Sequence, residues 1–283
     1  MPSLAALTPD LTLTPRQPTR ALALLPLRAW PAELLSRERR LALYGALLLV
    51  LLLPMALAWG LDDRLLRGAN VWIKPMKFAA SIGLMALTTA WFIGHLPAER
   101  RSSRAVAGIV WLLIGAGSFE LAYITLQAGL GQGSHFNVGD VWHATMYTLM
   151  GIGAVVLAAT QPMLAWQLLR HPDGHRPVAY RQAVMLGLLL SFVFGAGVGG
   201  LLSSQQPPDG GATVPLLGWA LGGGDLRPAH FVGIHAAQFL PLIGFGAVMR
   251  GGRRAQGVVW LAAALYALLF AALVAWGLAG PAG

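Results

Sequence analysis

Cysteine is absent from the 283-residue chain, so disulfides, thiolate metal ligands, cysteine nucleophiles and cysteine-held iron–sulfur clusters are excluded. Charge is also scarce, because 11% of the residues are charged, against about 25% in ordinary soluble domains. By contrast, 56% are hydrophobic and the mean hydropathy is +0.63. This composition excludes a conventional soluble enzyme and predicts a polytopic membrane protein.

Long uncharged runs predict an all-α integral membrane protein with seven transmembrane helices. Runs of about 18 or more apolar residues are typical of membrane-spanning helices. The seven runs lie at residues 41–60, 72–95, 105–130, 141–168, 181–204, 229–249 and 255–279. We therefore divide the chain into a basic tail, 1–40, and a seven-helix domain, 41–283. Within the tail, residues 21–40 mix apolar side chains with arginine, which predicts either a short interfacial helix or a simple basic flank.

Basic residues are distributed unequally between the loops. The tail carries six arginines and the second, fourth and sixth loops carry three each, whereas five of the twenty basic residues fall on the other side. The positive-inside rule then predicts a cytoplasmic N-terminus and an extracytoplasmic C-terminus in a bacterial-type inner membrane. Because topology accounts for the basic charge, we expect the lipid bilayer and no nucleic acid as a partner.

Glu120 is the only acidic residue well inside a span, and we predict it as the catalytic or proton-exchanging group. It lies ten residues before the outer end of the third run, which is a depth of about 15 Å. Gln127 follows two turns later on the same face, with Tyr123 and Ile124 between them. Charged groups in spans usually face a cavity or a partner. The alternative is a hydrogen bond that only joins two helices.

Lys74 and Lys77 are the only lysines in the chain, and both lie at the outer entry of the second span. Pro75 suits a first helical turn, where the helix dipole adds positive potential. The pair predicts an anionic partner, which would be Glu120, a lipid head group or the propionates or phosphate of a cofactor. The alternative is snorkelling to the head groups.

Four of the seven histidines belong to the outer half of the predicted bundle: His135, His143, His230 and His235. His143 lies about one turn and His235 about 9 Å inside their spans, so these two can share a depth. Gln238 lies on the same face as His235, and Pro241 predicts a local kink. We assign ordinary interface roles to the remaining three: His95, His171 and His175.

These polar residues together predict one outward-facing cavity ringed by the second, third, fourth and sixth spans. The first functional hypothesis is a membrane oxidoreductase with haem b between His143 and His235 and with Lys74 and Lys77 on its propionates. A non-haem iron, copper or zinc ion is the variant of this hypothesis, with Glu120, His143, His235 and His135 as ligands. The four outer histidines are the predicted metal ligands, and Lys74, Lys77, Gln127 and Gln238 are the predicted cofactor-binding residues.

Two other classes of function remain open. One is a proton-coupled transporter or a receptor for a small anionic solute, with Glu120 exchanging the proton. The other is an enzyme that acts on lipid head groups at the outer face. A retinal protein is excluded, because the seventh span contains no lysine for a Schiff base.

Glycines and loops complete the predictions. Gly195 and Gly199 form a small-xxx-small pattern that favours close helix packing, and the same role is expected for four others: Gly115, Gly117, Gly151 and Gly153. The Gly/Pro-rich segment 205–228 is typical of a mobile or lid-like loop. Its acids Asp209 and Asp225 are expected to serve solubility only.

Overall fold

A computed structural model describes residues 29–172, 174–208, 212–214, 217–251 and 254–280. The part it describes is nearly all helical, as predicted. The helices are α1 Trp30–Arg37, α2 Arg39–Val50, α3 Leu52–Leu61, α4 Ile73–Ile93, α5 Ala98–Arg101, α6 Arg104–Gly129, α7 Val141–Arg170, α8 Val178–Ser204, α9 Arg227–Ile234, α10 Ala236–Met249 and α11 Ala255–Leu278. A two-residue hairpin, β1 Leu65–Leu66 and β2 Ala69–Asn70, joins α3 to α4. Residues 1–28 of the predicted tail lie outside the described residues.

Six helical segments are long and apolar enough to span a membrane, and a seventh span results if the bent pair α9 and α10 is counted as one. The first span is α2 and α3 together, interrupted at Leu51, three residues before Pro54. Proline lacks the N–H that an uninterrupted helix requires. The prediction of a multi-pass helical membrane protein is therefore confirmed.

The loops separate into two ends of the bundle. At one end, Arg37 donates to the carbonyl of Trp91, and Arg101 donates to the carbonyl of Gly94. We call this the basic end. At the other end, which we call the polar end, Arg64 donates to the carbonyl of Gly129. The arginine-rich loops predicted to share one side therefore lie together.

The bent pair α9 and α10 connects these two ends. Its N-terminal side follows the segment 205–226, in which the amide of Gly224 donates to the carbonyl of Trp276 at the end of α11. Since α11 has 24 residues and starts directly after the loop that follows α10, its first residues lie at the basic end. The pair therefore runs from the polar end to the basic end, as a seventh span does.

The bend of 51° in this pair lies at His235, and not at Pro241, which lies inside α10. Ser191 of α8 bridges the break, because its Oγ accepts from the amide of Ala237 at 2.8 Å and donates to the carbonyl of Ile234 at 3.2 Å. The kink predicted for the polar stretch from His235 to Pro241 is present, and it lies at the start of that stretch. The backbone groups that a break exposes are satisfied here by a neighbouring serine.

The apolar core lies in the basic half of the bundle, where α2, α4, α6, α7 and α8 meet. Its fully buried members include Leu41, Ile93, Leu113, Leu164 and Leu188. Close packing at Gly195 is confirmed, because a Cβ there would lie 2.8 Å from Ile234. A Cβ at Gly115 or Gly151 would have no neighbouring atom within 4 Å, so the packing role predicted for these two glycines is wrong within the described chain.

Candidate functional site

Lys74 and His135 form a direct contact at the polar end. Lys74 lies in the first turn of α4, and its Nζ lies 3.0 Å from His135 Nδ1 in the loop between α6 and α7. Burial, together with the positive charge of Lys74, lowers the pKa of His135 to about 3. The imidazole is therefore neutral at physiological pH and accepts a hydrogen bond from the ammonium group.

Aromatic rings hold His135 in this position. The His135 ring lies 6.1 Å from the ring of Phe78 and 5.9 Å from that of Tyr147, both as centroid distances. Tyr147 is itself tied to α8, because its hydroxyl donates to the carbonyl of Ser203 at 2.8 Å. The loop that carries His135 is thus anchored to α4, α7 and α8, which fixes the acceptor for Lys74.

Glu120 lies buried between α6 and α7, with 2% of its surface exposed. A Cβ built at Gly153 of α7 would lie 2.8 Å from Glu120 Oε1, so glycine at that position makes room for the carboxyl group. Glu120 interacts electrostatically with Lys74 without forming an ion pair within 4.0 Å. Its Oε1 has no hydrogen-bond partner among the described residues. We call Lys74, Glu120 and His135 the Lys74 cluster.

The polar stripe predicted along the third span is confirmed as a buried face. Glu120, Tyr123, Ile124 and Gln127 are all buried in α6. Within the described part of the chain, the Tyr123 hydroxyl and Gln127 Oε1 lack hydrogen-bond partners, as Glu120 Oε1 does. Buried polar atoms are nearly always paired with protein or with ordered water. This stripe therefore carries polar atoms that can bind ordered water or polar atoms of a bound molecule.

Lys77 belongs to a different cluster, although it lies one turn from Lys74. Its Nζ donates to the carbonyl of Leu217 at 2.9 Å. Asp225 accepts from the Arg227 guanidinium and from the amide of Ala220. These bonds from Arg227 and Ala220 hold the pKa of Asp225 below its usual range despite burial, which acts in the opposite direction.

This second cluster organises the segment after α8. Asp225 is fully buried, so the prediction that it serves only solubility is wrong. Residues 212–214 and 219–221 pair as the two arms of a small hairpin, with the amide of Leu221 donating to the carbonyl of Ala212. Asp209 lies outside the described residues. The described part of the segment is held at the polar end by the bond from Lys77 to Leu217 and by the Asp225–Arg227 ion pair, and the mobility predicted for the segment stays a prediction.

His235 and Gln238 form a third polar group. His235 Nδ1 lies 3.2 Å from Gln238 Oε1, and Gln238 Nε2 donates to Thr88 Oγ1 of α4 at 3.1 Å. His230 packs beside Gly199 of α8, and its Nδ1 has no hydrogen-bond partner within the described ranges. In those ranges, no hydrogen bond or ion pair joins His235 to the Lys74 cluster. The described polar residues thus form separate hydrogen-bonded groups, and a single cavity shared by them stays a prediction.

His143 lies at the start of α7 and has both ring nitrogens engaged. Nδ1 lies 2.5 Å from Asp140 Oδ2, and Nε2 lies 3.1 Å from Gln132 Oε1. Metal coordination by His143 would have to replace one of these bonds. The described residues contain no group of three or more His, Asp or Glu side chains placed to hold a metal ion. The haem and metal assignments of the four outer histidines therefore stay predictions.

His95 is a residue whose position sequence reasoning missed. We expected an ordinary interface role, but His95 is 5% exposed and lies between the rings of Phe92 and Tyr180 at the basic end. Burial and the nearby positive charges of Arg176, Arg37 and Arg101 lower its pKa well below the usual value. Arg37 ends α1, Arg101 ends α5 and Arg176 lies in the loop before α8, so no single local sequence pattern indicates all three.

Comparison of the chain with protein-family models, curated proteins and solved structures gives no significant match. The chemistry of the described clusters is therefore the basis for assigning a function. Of these clusters, the Lys74 cluster combines an ammonium group, a neutral imidazole and a buried carboxyl group with an unpartnered oxygen.

Proposed function

We propose that the protein is a multi-pass inner-membrane carrier or receptor that binds a small anionic solute from the outer side at the Lys74 cluster. The observation that carries this proposal is the arrangement of Lys74 and Glu120. Lys74 donates to neutral His135, while Glu120 lies nearby without an ion pair to Lys74. The ammonium group thus has donors to offer to an incoming carboxylate or phosphate.

The electrostatic surroundings favour an anion. Lys77 and Arg67 add positive charge near Lys74. Lys74 also lies in the first turn of α4, where the helix dipole is positive. Asp225, the acid that acts electrostatically on Lys77, is already bound by Arg227. Glu120 is then the group that opposes anion binding, and protonation of its carboxyl group removes that opposition.

This arrangement links anion binding to proton uptake. An ionised Glu120 repels an anion at Lys74, whereas a protonated Glu120 does not and can donate a hydrogen bond to it. Ionisable groups inside membrane bundles commonly serve as proton relays. We expect the anion and one proton to bind together.

The first experiment measures thermal unfolding of the detergent-purified protein with succinate, lactate or inorganic phosphate, each against chloride at equal ionic strength. We expect at least one of these anions to raise the unfolding temperature of the wild type. Lys74→Met should weaken that anion's apparent affinity about 10- to 100-fold, because a charge-assisted hydrogen bond is lost. Lys77→Met is the matched control and should weaken the affinity far less than Lys74→Met, since Lys77 contributes only nearby charge and its Nζ binds the backbone carbonyl of Leu217.

The proton link is tested with Glu120→Gln. Wild-type affinity for the stabilising anion should rise as pH falls, because protonation removes the charge on Glu120. The Gln variant should bind with the affinity that the wild type shows at low pH, and its affinity should depend on pH less steeply than that of the wild type over a range in which the anion keeps one charge state. The same pH dependence in both proteins would contradict the role of Glu120.

Other outcomes would favour the other functional classes. Stabilisation by none of the three anions, together with about one iron, copper or zinc ion per purified chain, would overturn the proposal in favour of the redox hypothesis. Equal loss of the anion effect in the Lys74 and Lys77 variants would also contradict it, because the effect would then report general positive charge.

A further inference from the structure

Three buried polar atoms on one face of α6 have no hydrogen-bond partner in the described part of the chain. They are Glu120 Oε1, the Tyr123 hydroxyl and Gln127 Oε1, and these residues are 2%, 4% and 2% exposed. Their spacings of three and four residues place them one above another, over about 10 Å of helix. We call these three side chains the α6 stripe. It offers hydrogen bonds that the described side chains leave unused.

The α6 stripe lies beside Lys74. Phe78, one turn after Lys74 on α4, packs against the apolar cluster that contains Tyr123. The Phe78 ring also lies 6.1 Å from the ring of His135, which accepts the hydrogen bond of Lys74. Glu120, one turn from Tyr123, acts electrostatically on Lys74. An anion bound at Lys74 would therefore have the α6 stripe as a neighbouring wall.

The hydrogen-bonding character of the α6 stripe restricts the chemistry of that anion. An ionised carboxylate group at Lys74 has oxygens that only accept hydrogen bonds. Gln127 Oε1 is an acceptor as well, so it cannot bind such a group. A hydroxyl group on the same molecule can donate to Gln127 Oε1, and it can either donate to the Tyr123 hydroxyl or accept from it. The α6 stripe is thus suited to an anion that also carries a hydroxyl group.

An ammonium group could also donate to these acceptors, but the charges around them disfavour it. Lys74 is itself a cation, and under the proposed function Glu120 is protonated when the anion binds. Asp140, the acid that acts electrostatically on Tyr123, is bound by the ring of His143 at 2.5 Å. A neutral hydroxyl group adds no second positive charge next to Lys74. The surroundings therefore favour a hydroxy acid over an amino acid.

We propose that the solute is a small hydroxycarboxylate, with its carboxylate at Lys74 and its hydroxyl group at Tyr123 and Gln127. This inference rests on the proposed function, because it assigns the specificity of the same site. Tyr123 and Gln127 are then the residues that distinguish a hydroxy acid from the acid without the hydroxyl group. A site that pairs with a hydroxyl group binds the analogue lacking it more weakly, because buried polar atoms stay unpaired.

The test compares two matched pairs, lactate with propionate and 3-hydroxybutyrate with butyrate, and adds alanine. Within each pair the acids differ by one hydroxyl group. Thermal unfolding of the detergent-purified full-length protein, at one pH and equal ionic strength, gives an apparent affinity for each compound. We expect the wild type to bind at least one hydroxy acid about tenfold or more tightly than its partner. Tyr123→Phe and Gln127→Leu should each reduce that preference by about fivefold.

The matched control is Gln161→Leu, which removes a buried amide from α7. Gln161 is 5% exposed and donates to Thr160 Oγ1, so its amide is engaged outside the α6 stripe. This control should keep the preference for the hydroxy acid, and an equal loss there would contradict the inference. If Gln127→Leu fails to fold, Tyr123→Phe decides the question, because it removes a single oxygen atom and keeps the ring.

The remaining outcomes separate this inference from the proposed function. Equal affinity within both pairs, lost in Lys74→Met, would overturn the hydroxycarboxylate and leave the proposed function standing, with the α6 stripe binding ordered water. Binding of inorganic phosphate but of neither hydroxy acid would do the same. Tighter binding of alanine than of lactate would assign the stripe to an amino acid. Stabilisation by none of these compounds or by succinate would overturn both proposals.

Discussion

At the residue scale, the protein places a half-buried basic side chain, Lys74, and a buried acidic side chain, Glu120, in one region without an ion pair between them. Lys74 uses His135 as its acceptor, and Glu120 has space against Gly153 rather than a cation in hydrogen-bond contact. Such a pair costs stability in a low-dielectric interior and is retained in proteins mainly where function needs it. The strongest residue-level expectations therefore concern ionisation.

The first residue-scale prediction concerns the protonation state of His135. Its pKa of about 3 lies below the ordinary value of 6.5, so the unfolded chain binds a proton between these values and the folded chain does not. Stability should therefore fall as pH decreases from 6.5 toward 3. Nitrogen NMR of isotope-labelled histidine should show a neutral His135 ring with an unprotonated Nδ1 at pH 5.

His135→Gln identifies the signal and provides the control. This variant keeps an acceptor for Lys74 but has no titrating ring. The slope of its free energy of unfolding against pH should therefore be smaller than that of the wild type by up to about 1.4 kcal/mol per pH unit, which corresponds to one proton. A His135 ring that titrates near 6.5 in the folded protein would show that the loop does not bury it against Lys74.

At the scale of single elements, the structure depends on two contacts that repair irregular backbone. Ser191 bridges the break between α9 and α10, and Asp225 joins Arg227 to the hairpin of the 205–226 segment. Both contacts come from one side chain that binds backbone groups of another element. Each one is therefore open to a single-residue test.

Ser191→Ala should destabilise the protein by about 1–2 kcal/mol, because it leaves an amide and a carbonyl unpaired at the bend. Thermal unfolding in detergent measures the loss. Ser203→Ala is the control: its hydroxyl binds only the carbonyl of Gly200 in its own helix and is exposed. Equal effects of the two substitutions would contradict the bridging role of Ser191.

Asp225→Asn should loosen the pairing of the hairpin arms 212–214 and 219–221 while leaving the helices intact. Removing one partner of a buried ion pair leaves the other charge uncompensated and costs a few kcal/mol. Hydrogen exchange at the amide of Leu221 should therefore become at least about tenfold faster. Asp63→Asn, an exposed change at the same end of the bundle, should leave this exchange rate unchanged.

At the scale of the whole molecule, the two halves of the bundle differ in their polar content. The largest buried apolar cluster lies toward the basic end, while the Lys74 cluster and the unpartnered oxygens of α6 lie toward the other end beside smaller apolar clusters. We propose that the polar half receives the solute and that the packed half separates it from the cytoplasm.

Topology is the matching whole-molecule prediction. If α9 and α10 form one span, the N-terminus and the C-terminus lie on opposite sides of the membrane, with the basic end in the cytoplasm. Alkaline phosphatase fused after residue 280 should be active, and green fluorescent protein fused there should be dark. Fusions at loop 171–177 should give the opposite result. Active phosphatase at loop 171–177 would reverse the predicted orientation.

The sequence by itself determined the class of protein, the positions of the spans and the common end of the arginine-rich loops. These features follow from hydropathy and charge, which can be read from one helix at a time. The sequence also predicted the shared face of Glu120, Tyr123 and Gln127, because helical periodicity is a local property. The choice of partners was decided only by tertiary structure. Lys74 forms a hydrogen bond with His135, whereas Lys77 forms one with Leu217 of the 205–226 segment. Arg37, Arg101 and Arg176, from separate parts of the chain, act electrostatically on His95. Such contacts depend on how helices pack and where loops return, which no local pattern in the chain records.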